Sequence, residues 1–151
     1  PGVCFYGFQK GKAAREVQPY AQTGLVENLG EAFADFSDTA AALAHMDLVI
    51  SIDTSVAHLA GAMGKPVVAS ATGGLRQSVR DGDSGILVAP GDARGFADAI
   101  IRLLTDSDLA ARMGRRGREI IASGYSSEET TRRIMAVYDE ILPPPRSTIY
   151  A

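Results

Sequence analysis

Three short segments of this chain carry side chains or backbone suited to holding an anion. The first is Ile52-Asp53-Thr54-Ser55-Val56-Ala57-His58, where an apolar run ends in an acid and two hydroxyl residues and turns at once into a helical pattern. The N–H groups of Thr54, Ser55 and Val56 would point out of that helix start, where the macrodipole favours a bound anion such as a diphosphate. The competing reading is that Asp53 or Thr54 only caps the helix. The second is Ser70-Ala71-Thr72-Gly73-Gly74-Leu75, whose paired glycines let backbone approach a ligand closely or simply make a tight turn. The third is Gln9-Lys10-Gly11-Lys12, where a flexible cationic side chain can reach the same crevice or stay solvated. His58 follows Thr54 by four residues on one helical face and can present its imidazole to the same place; a structural histidine is the equal alternative. Placing Thr54 as the first helical residue predicts that a proline is tolerated there.

Other chemistries lack their residues. Two His and one Cys give no metal-ligand set, and no metal or cofactor is expected. There is no Gly-x-Gly-x-x-Gly, no phosphate loop of the Walker type and no nucleophile elbow. No catalytic residue is assigned.

These loops must be positioned by the elements around them. Strand patterns fall at Val3 to Phe8, Gly24 to Asn28, Leu48 to Ile52, Pro66 to Ser70 and Gly85 to Val88. Between them lie helical patterns at Ala13 to Tyr20, Asp35 to Met46 with Ser37 able to cap it, Thr54 to Met63 ended by Gly64, and a short one through Val79. Asp92 caps a further helix bearing Phe96, Ile100, Leu103 and Leu104 on one face, and Leu109 to Ile121 forms the next. Ser126 with Glu129 is a capping box before the stripe Ile134, Val137, Tyr138 and Ile141, which Pro143-Pro144-Pro145 stops. Nearly continuous apolar strands alternating with helices predict an α/β, doubly wound parallel sheet of about six strands, with adjacent buried strands at 3–8, 48–52, 67–70 and 86–88 and C-terminal helices. A ligand then lies outside the carboxyl ends of the strands.

With 151 residues, 46% hydrophobic and 22% charged, the chain reads as one domain over residues 1–142 with a tail at 143–151. The net charge of −3 excludes a general nucleic-acid or anionic-membrane binder, and no apolar stretch is long enough to span a membrane. The lone Cys4 sits in the apolar run Val3-Cys4-Phe5-Tyr6, which predicts core packing and a reducing, cytoplasmic location. Without an initiator Met, the sequence reads as cut from something larger. Residues 1–66 hold all three Lys and carry a net −3, whereas residues 67–151 hold eleven Arg, no Lys and no net charge. The chain changes character near Pro66.

A resemblance divides at the same place. Phe5-Tyr6-Gly7-Phe8-Gln9-Lys10-Gly11, Asp35 to Leu43, and Met46 to Pro66 resemble the donor-binding domain of heptosyltransferase-like proteins, in particular tetratricopeptide-repeat proteins akin to O-linked N-acetylglucosamine transferase. Val67 to Ser70, Thr72-Gly73-Gly74-Leu75 and Val79 to Asp92 resemble the end of a family-four retaining glycosyltransferase. Both families share the GT-B architecture, two facing Rossmann-like domains with the sugar-nucleotide donor held mainly by the C-terminal one. The resemblance implies such a C-terminal domain, with the diphosphate and sugar at Asp53, Thr54, Ser55 and His58, Gly73 and Gly74 alongside, and Lys10 near the phosphates. The implied partners are a nucleotide-diphosphate sugar as substrate and an N-terminal acceptor domain that this sequence lacks, so the isolated chain is expected to be incomplete as an enzyme. A structural or engineered module with a vestigial donor site is the alternative. Family-four enzymes carry two glutamates where this chain has Ser51 and Leu59, and a Pro-Glu where it has Arg76-Gln77. The mosaic points to a recombined or engineered chimera joined near residues 64–67, or to a natural fusion.

Overall fold

The computed structural model describes residues 2–142. In chain order these form β1 (Phe5–Gly7), α1 (Ala14–Gln22), β2 (Val26–Asn28), α2 (Phe36–Ala44), β3 (Val49–Ser51), α3 (Ser55–Ala62) and β4 (Val67–Ser70). Then follow α4 (Leu75–Ser78), β5 (Ile86–Val88), α5 (Ala93–Thr105), α6 (Ser107–Gly124) and α7 (Ser127–Ile141). The tail at 143–151, with its three prolines, lies outside the described residues.

Strand β4 is the centre of the fold. Its four residues are all buried, and it pairs in parallel with β3 on one side (Val49 opposite Val67) and with β5 on the other (Val68 opposite Ile86). Because alternate residues point to opposite faces, β4 feeds two cores at once. Val67 and Ala69 pack with Leu43, Ala57, Ala60 and Leu75 from α2, α3 and α4. Val68 packs with Val88 and with Ala99, Leu103, Leu109 and Met113 from α5 and α6. Helices α3 and α5 therefore cover opposite faces of the same three-stranded sheet, the doubly wound arrangement that the alternating pattern predicts.

The expected single sheet of about six strands is not what forms. Among the described residues there are five strands in two parallel sheets, β3-β4-β5 and a separate pair, β1-β2, in which Phe5 lies opposite Val26. In a two-stranded sheet each strand is an edge, so the apolar run at residues 3–6 stays half in solvent: Phe5 is 41% and Tyr6 40% exposed. Cys4 is exposed as well, contrary to the core packing expected of it. The run was apolar enough to be buried, but no second sheet neighbour covers it.

Short-range chemistry sets the helix ends. Asp35, not Ser37, caps α2: its carboxylate accepts from the N–H groups of Ser37 (2.7 Å) and Asp38 (3.3 Å), which holds its pKa below the usual carboxylate value. Asp92 accepts from Gly95 N–H at 2.8 Å, as its position predicts. Ser126 accepts from Glu129 N–H at 3.1 Å, but the Glu129 carboxylate turns outward to Arg132 and Arg133 instead of completing the box. The stripe of α7 is present, yet no residue of that helix is buried, and Ile134, Val137, Tyr138 and Ile141 are 49–66% exposed.

Helices α3 and α6 meet through glycine. A Cβ on Gly114 would stand 2.1 Å from the carbonyl oxygen of Gly64, so only glycine allows α6 to lie this close to the end of α3.

Candidate functional site at two strand-end loops

Neighbouring parallel strands put their following loops side by side. The loop after β3 (residues 52–54) and the loop after β4 (residues 71–74) therefore open at one edge of the sheet, and Asp53 joins them. Its carboxylate Oδ2 accepts the N–H of Gly74 at 2.9 Å, a bond between residues 21 positions apart. Gly73 makes room for it: φ there is +51°, and a Cβ would meet Asp53 Oδ2 at 1.7 Å. Asp53 thus does not cap α3, and neither does the Thr54 side chain, whose Oγ1 lies 3.0 Å from Ser51 Oγ.

Thr54 occupies the cap position with extended backbone (φ −140°, ψ 158°). It is one residue outside the helix, and proline, which needs φ near −65°, does not fit there; the expectation that it would be tolerated is corrected to Ser55, the first helical residue. Ala57 N–H donates to Thr54 O at 3.1 Å, whereas among the described residues the N–H groups of Ser55 and Val56 have no acceptor. These two donors belong to the first turn of α3, where Ser55 is exposed and Val56 half-buried.

His58 stands behind Asp53. Its Nε2 is 3.8 Å from Asp53 Oδ1, and its Nδ1 is 3.3 Å from the hydroxyl of buried Ser78, which also lies 3.4 Å from Gly74 O. An imidazole with its proton on Nε2 faces the carboxylate and accepts from Ser78; a protonated one donates at both ends and frees the Ser78 proton for Gly74 O. Either way one imidazole links Asp53 in the first loop to Ser78 at the end of α4. Behind it, between Ala57, Gly61, Val67 and Ser78, is a cavity of about 10 Å³, room for one water at most.

Six of the seven residues expected at this site are therefore brought together or set side by side, Asp53, Thr54, Ser55 and His58 with Gly73 and Gly74 across the gap, and Lys10 is the one held elsewhere. Its ammonium donates to the carbonyl of Phe33, and the next N–H, of Gly11, goes to Glu31 at 2.9 Å, so this loop turns towards residues 31–33. Sequence reading missed Ser51 and Ser78, which hold the loops from behind, and Arg76, whose Nε donates to Ala71 O at 2.7 Å. The Ser78 partner comes from another helix 20 residues away, and the Ser51 and Arg76 partners, three and five residues away, follow no standard cap or helix spacing. A larger groove of about 320 Å³, lined by Asp83, Arg112, Arg115, Arg116 and Glu119 among others, lies where the loop entering β5 meets α6, at the opposite edge of the sheet. Among the described residues no three His, Cys, Asp or Glu side chains gather as a metal set, and no helix is long and apolar enough to cross a membrane.

A family model described as "Glycosyl transferases group 1" matches residues 3–106, more than half of the chain. The chain belongs to the group 1 glycosyl transferases. The matched stretch includes residues 64–67, where two patterns meet in the sequence, so one family description spans that join. Among curated relatives, a D-inositol 3-phosphate glycosyltransferase of Thermobifida fusca is 40% identical over 88 residues, 58% of this chain and 20% of that one. Among solved structures, the sucrose-phosphate synthase of Thermosynechococcus elongatus superposes with a TM-score of 0.71 and 29% identity over 87% of this chain and 35% of its own. Anabaena Alr3699/HepE, solved in complex with UDP-glucose, superposes with a TM-score of 0.74 and 25% identity over 90% of this chain and 40% of its own. This group 1 chain thus spans about a fifth of the length of the curated relatives it matches. The α/β, Rossmann-like character of the fold is shared with these two structures.

Proposed function

We propose that this chain is the nucleotide-sugar-binding part of a group 1 glycosyl transferase, with the donor diphosphate resting between the first turn of α3 and the Gly73-Gly74 loop. The observation that carries the reading is the Asp53 carboxylate bonded to Gly74 N–H, which fixes two strand-end loops at one sheet edge while the N–H groups of Ser55 and Val56 stay unclaimed. Backbone donors at a helix start are a ready place for phosphate oxygens. The UDP-glucose held by the Anabaena neighbour and the resemblance of residues 46–66 to heptosyltransferase-like donor loops support the same ligand class and the same loop. Lys10 belongs to this reading as a side chain that must leave the Phe33 carbonyl to reach a phosphate. Transfer needs an acceptor-side domain and its catalytic base across the cleft, and the role proposed for these residues is to hold the donor.

Calorimetric titration with uridine, guanosine and adenosine diphosphates tests this. Binding of one of them in the micromolar to millimolar range, weakened at least severalfold by Ser55→Pro with the melting temperature held, is the expected result. No binding by the unsubstituted chain at millimolar nucleotide makes the site vestigial.

A further inference from the structure

We infer that Asp53 makes this site discriminate against the free nucleoside diphosphate and in favour of the nucleotide sugar; the inference rests on the donor-site reading above. Three observations fix the carboxylate where it stands. Oδ2 accepts Gly74 N–H at 2.9 Å, Oδ1 lies 3.8 Å from His58 Nε2, and the missing side chain of Gly73 leaves the notch that Oδ2 fills. A longer side chain at Gly73 would expel the carboxylate; as it is, the negative charge stands at the loop edge, 36% exposed, against Gly73-Gly74.

That charge meets the two ligands differently. In a nucleotide sugar the outer phosphate is a diester with one negative charge, and the group beyond it is a neutral sugar whose hydroxyls can donate to a carboxylate. In the free diphosphate the outer phosphate is a terminal group with a second ionisation near pH 6, so at neutral pH it carries close to one more charge. Asp53 is one residue before the cap of the helix whose Ser55 and Val56 N–H groups would hold the diphosphate, so its carboxylate would stand beside the outer phosphate of a ligand bound there. Like charges this close in a partly hydrated site weaken binding of the free diphosphate by about three- to tenfold relative to an uncharged residue. The sugar-bearing ligand escapes most of that penalty. The functional meaning is that spent donor leaves readily, so product does not block the site.

The test titrates UDP and UDP-glucose into the chain and into Asp53→Asn. Asparagine keeps an oxygen to accept Gly74 N–H and removes only the charge. The expected result is UDP binding about three- to tenfold tighter in the variant, with UDP-glucose changing less, so that the ratio of the two dissociation constants falls. A second readout needs no variant: raising salt towards 0.5 M should compress the same ratio in the unsubstituted chain, because screening shortens the reach of the carboxylate. A ratio unchanged by both, or UDP bound more weakly by Asp53→Asn, overturns the inference while leaving the donor site standing. Failure of the unsubstituted chain to bind either ligand at millimolar concentration overturns the donor site, and this inference with it.

Discussion

The carbonyl oxygen of Gly64 lies where the side chain of residue 114 would begin, 2.1 Å from the Cβ position of Gly114. Backbone cannot retreat as a flexible side chain can, so Gly114→Ala must push α6 off the end of α3 and loosen Met113 beside it, which is 1% exposed. The expected loss is about 1–3 kcal/mol, seen as a fall of several degrees in melting temperature. Gly61→Ala is the control. A Cβ there meets nothing within 4 Å, and removing a glycine from the interior of α3 should stabilise the fold by about 0.5–1 kcal/mol.

Gly73 and Asp53 should behave as a coupled pair. Gly73→Ala puts a Cβ 1.7 Å from Asp53 Oδ2 and also asks alanine to hold φ +51°, a left-handed conformation that costs about 1–2 kcal/mol by itself. In an Asp53→Gly background the collision is gone and only the backbone cost is left. Chemical denaturation of the two single variants and the double variant should therefore give a cost for Gly73→Ala that is smaller in the second background. Equal costs in both would mean that the carboxylate does not occupy the notch.

Acid should weaken the start of α7. Hydrogen bonds from Arg132 and Arg133 hold the Glu129 carboxyl at about 2, down from 4.5. A folded-state pKa below the unfolded one gives stability that is fully present above the unfolded value and is lost as pH falls through the folded value, here between about 4.5 and 2. Glu129→Gln removes that dependence. Melting curves over this pH range should converge for the two proteins at the acid end and separate, with the unsubstituted chain higher, above pH 5.

Hydrogen exchange should rank the elements by how they are covered. Amides of β4, buried along its whole length between two paired strands, should be the slowest to exchange. Those of α7, none of whose residues is buried, and of the two-stranded β1-β2 pair should be among the fastest. Protection of α7 equal to that of β4 would contradict the exposure of its stripe.

What could be read from the sequence follows the range of the interactions. Val67 to Ser70 announces itself as a buried strand because four successive small or branched residues need cover on both faces. Asp92 and Ser126 announce caps because their partners are three residues away. By its type Ser37 is able to cap α2, and it is Asp35 that does so; residue type does not separate them, since both bear a suitable oxygen, and two residues separate a cap from a helix interior. Val3 to Phe8 has the composition of a buried strand, but its neighbours across the sheet are set by chain topology, and half of it stays wet. At the site, the residue types at 53–58 and 73–74 pointed to two loops that the sheet sets side by side. That Asp53 reaches Gly74 instead of its own helix was not legible, because such a bond depends on β3 and β4 being adjacent and not on any local spacing.

Lys65 is sequentially the entrance to β4, yet its ammonium donates to Ala44 O and, at 2.9 Å, to Met46 O, the carbonyls left over where α2 ends. Chemically it belongs to the first part of the chain, while its neighbour Gly64 is fitted to α6 in the second. Grafting residues 67–142 onto the first part of another relative is then a transplant with a suture two residues wide: the new partner must bring a cation long enough to close its own second helix and a glycine able to hold φ +76° at the turn, while the glycine that admits α6 travels with the graft. A donor segment that ends one residue short on either count would arrive with open carbonyls or a strained turn, however well its strands matched.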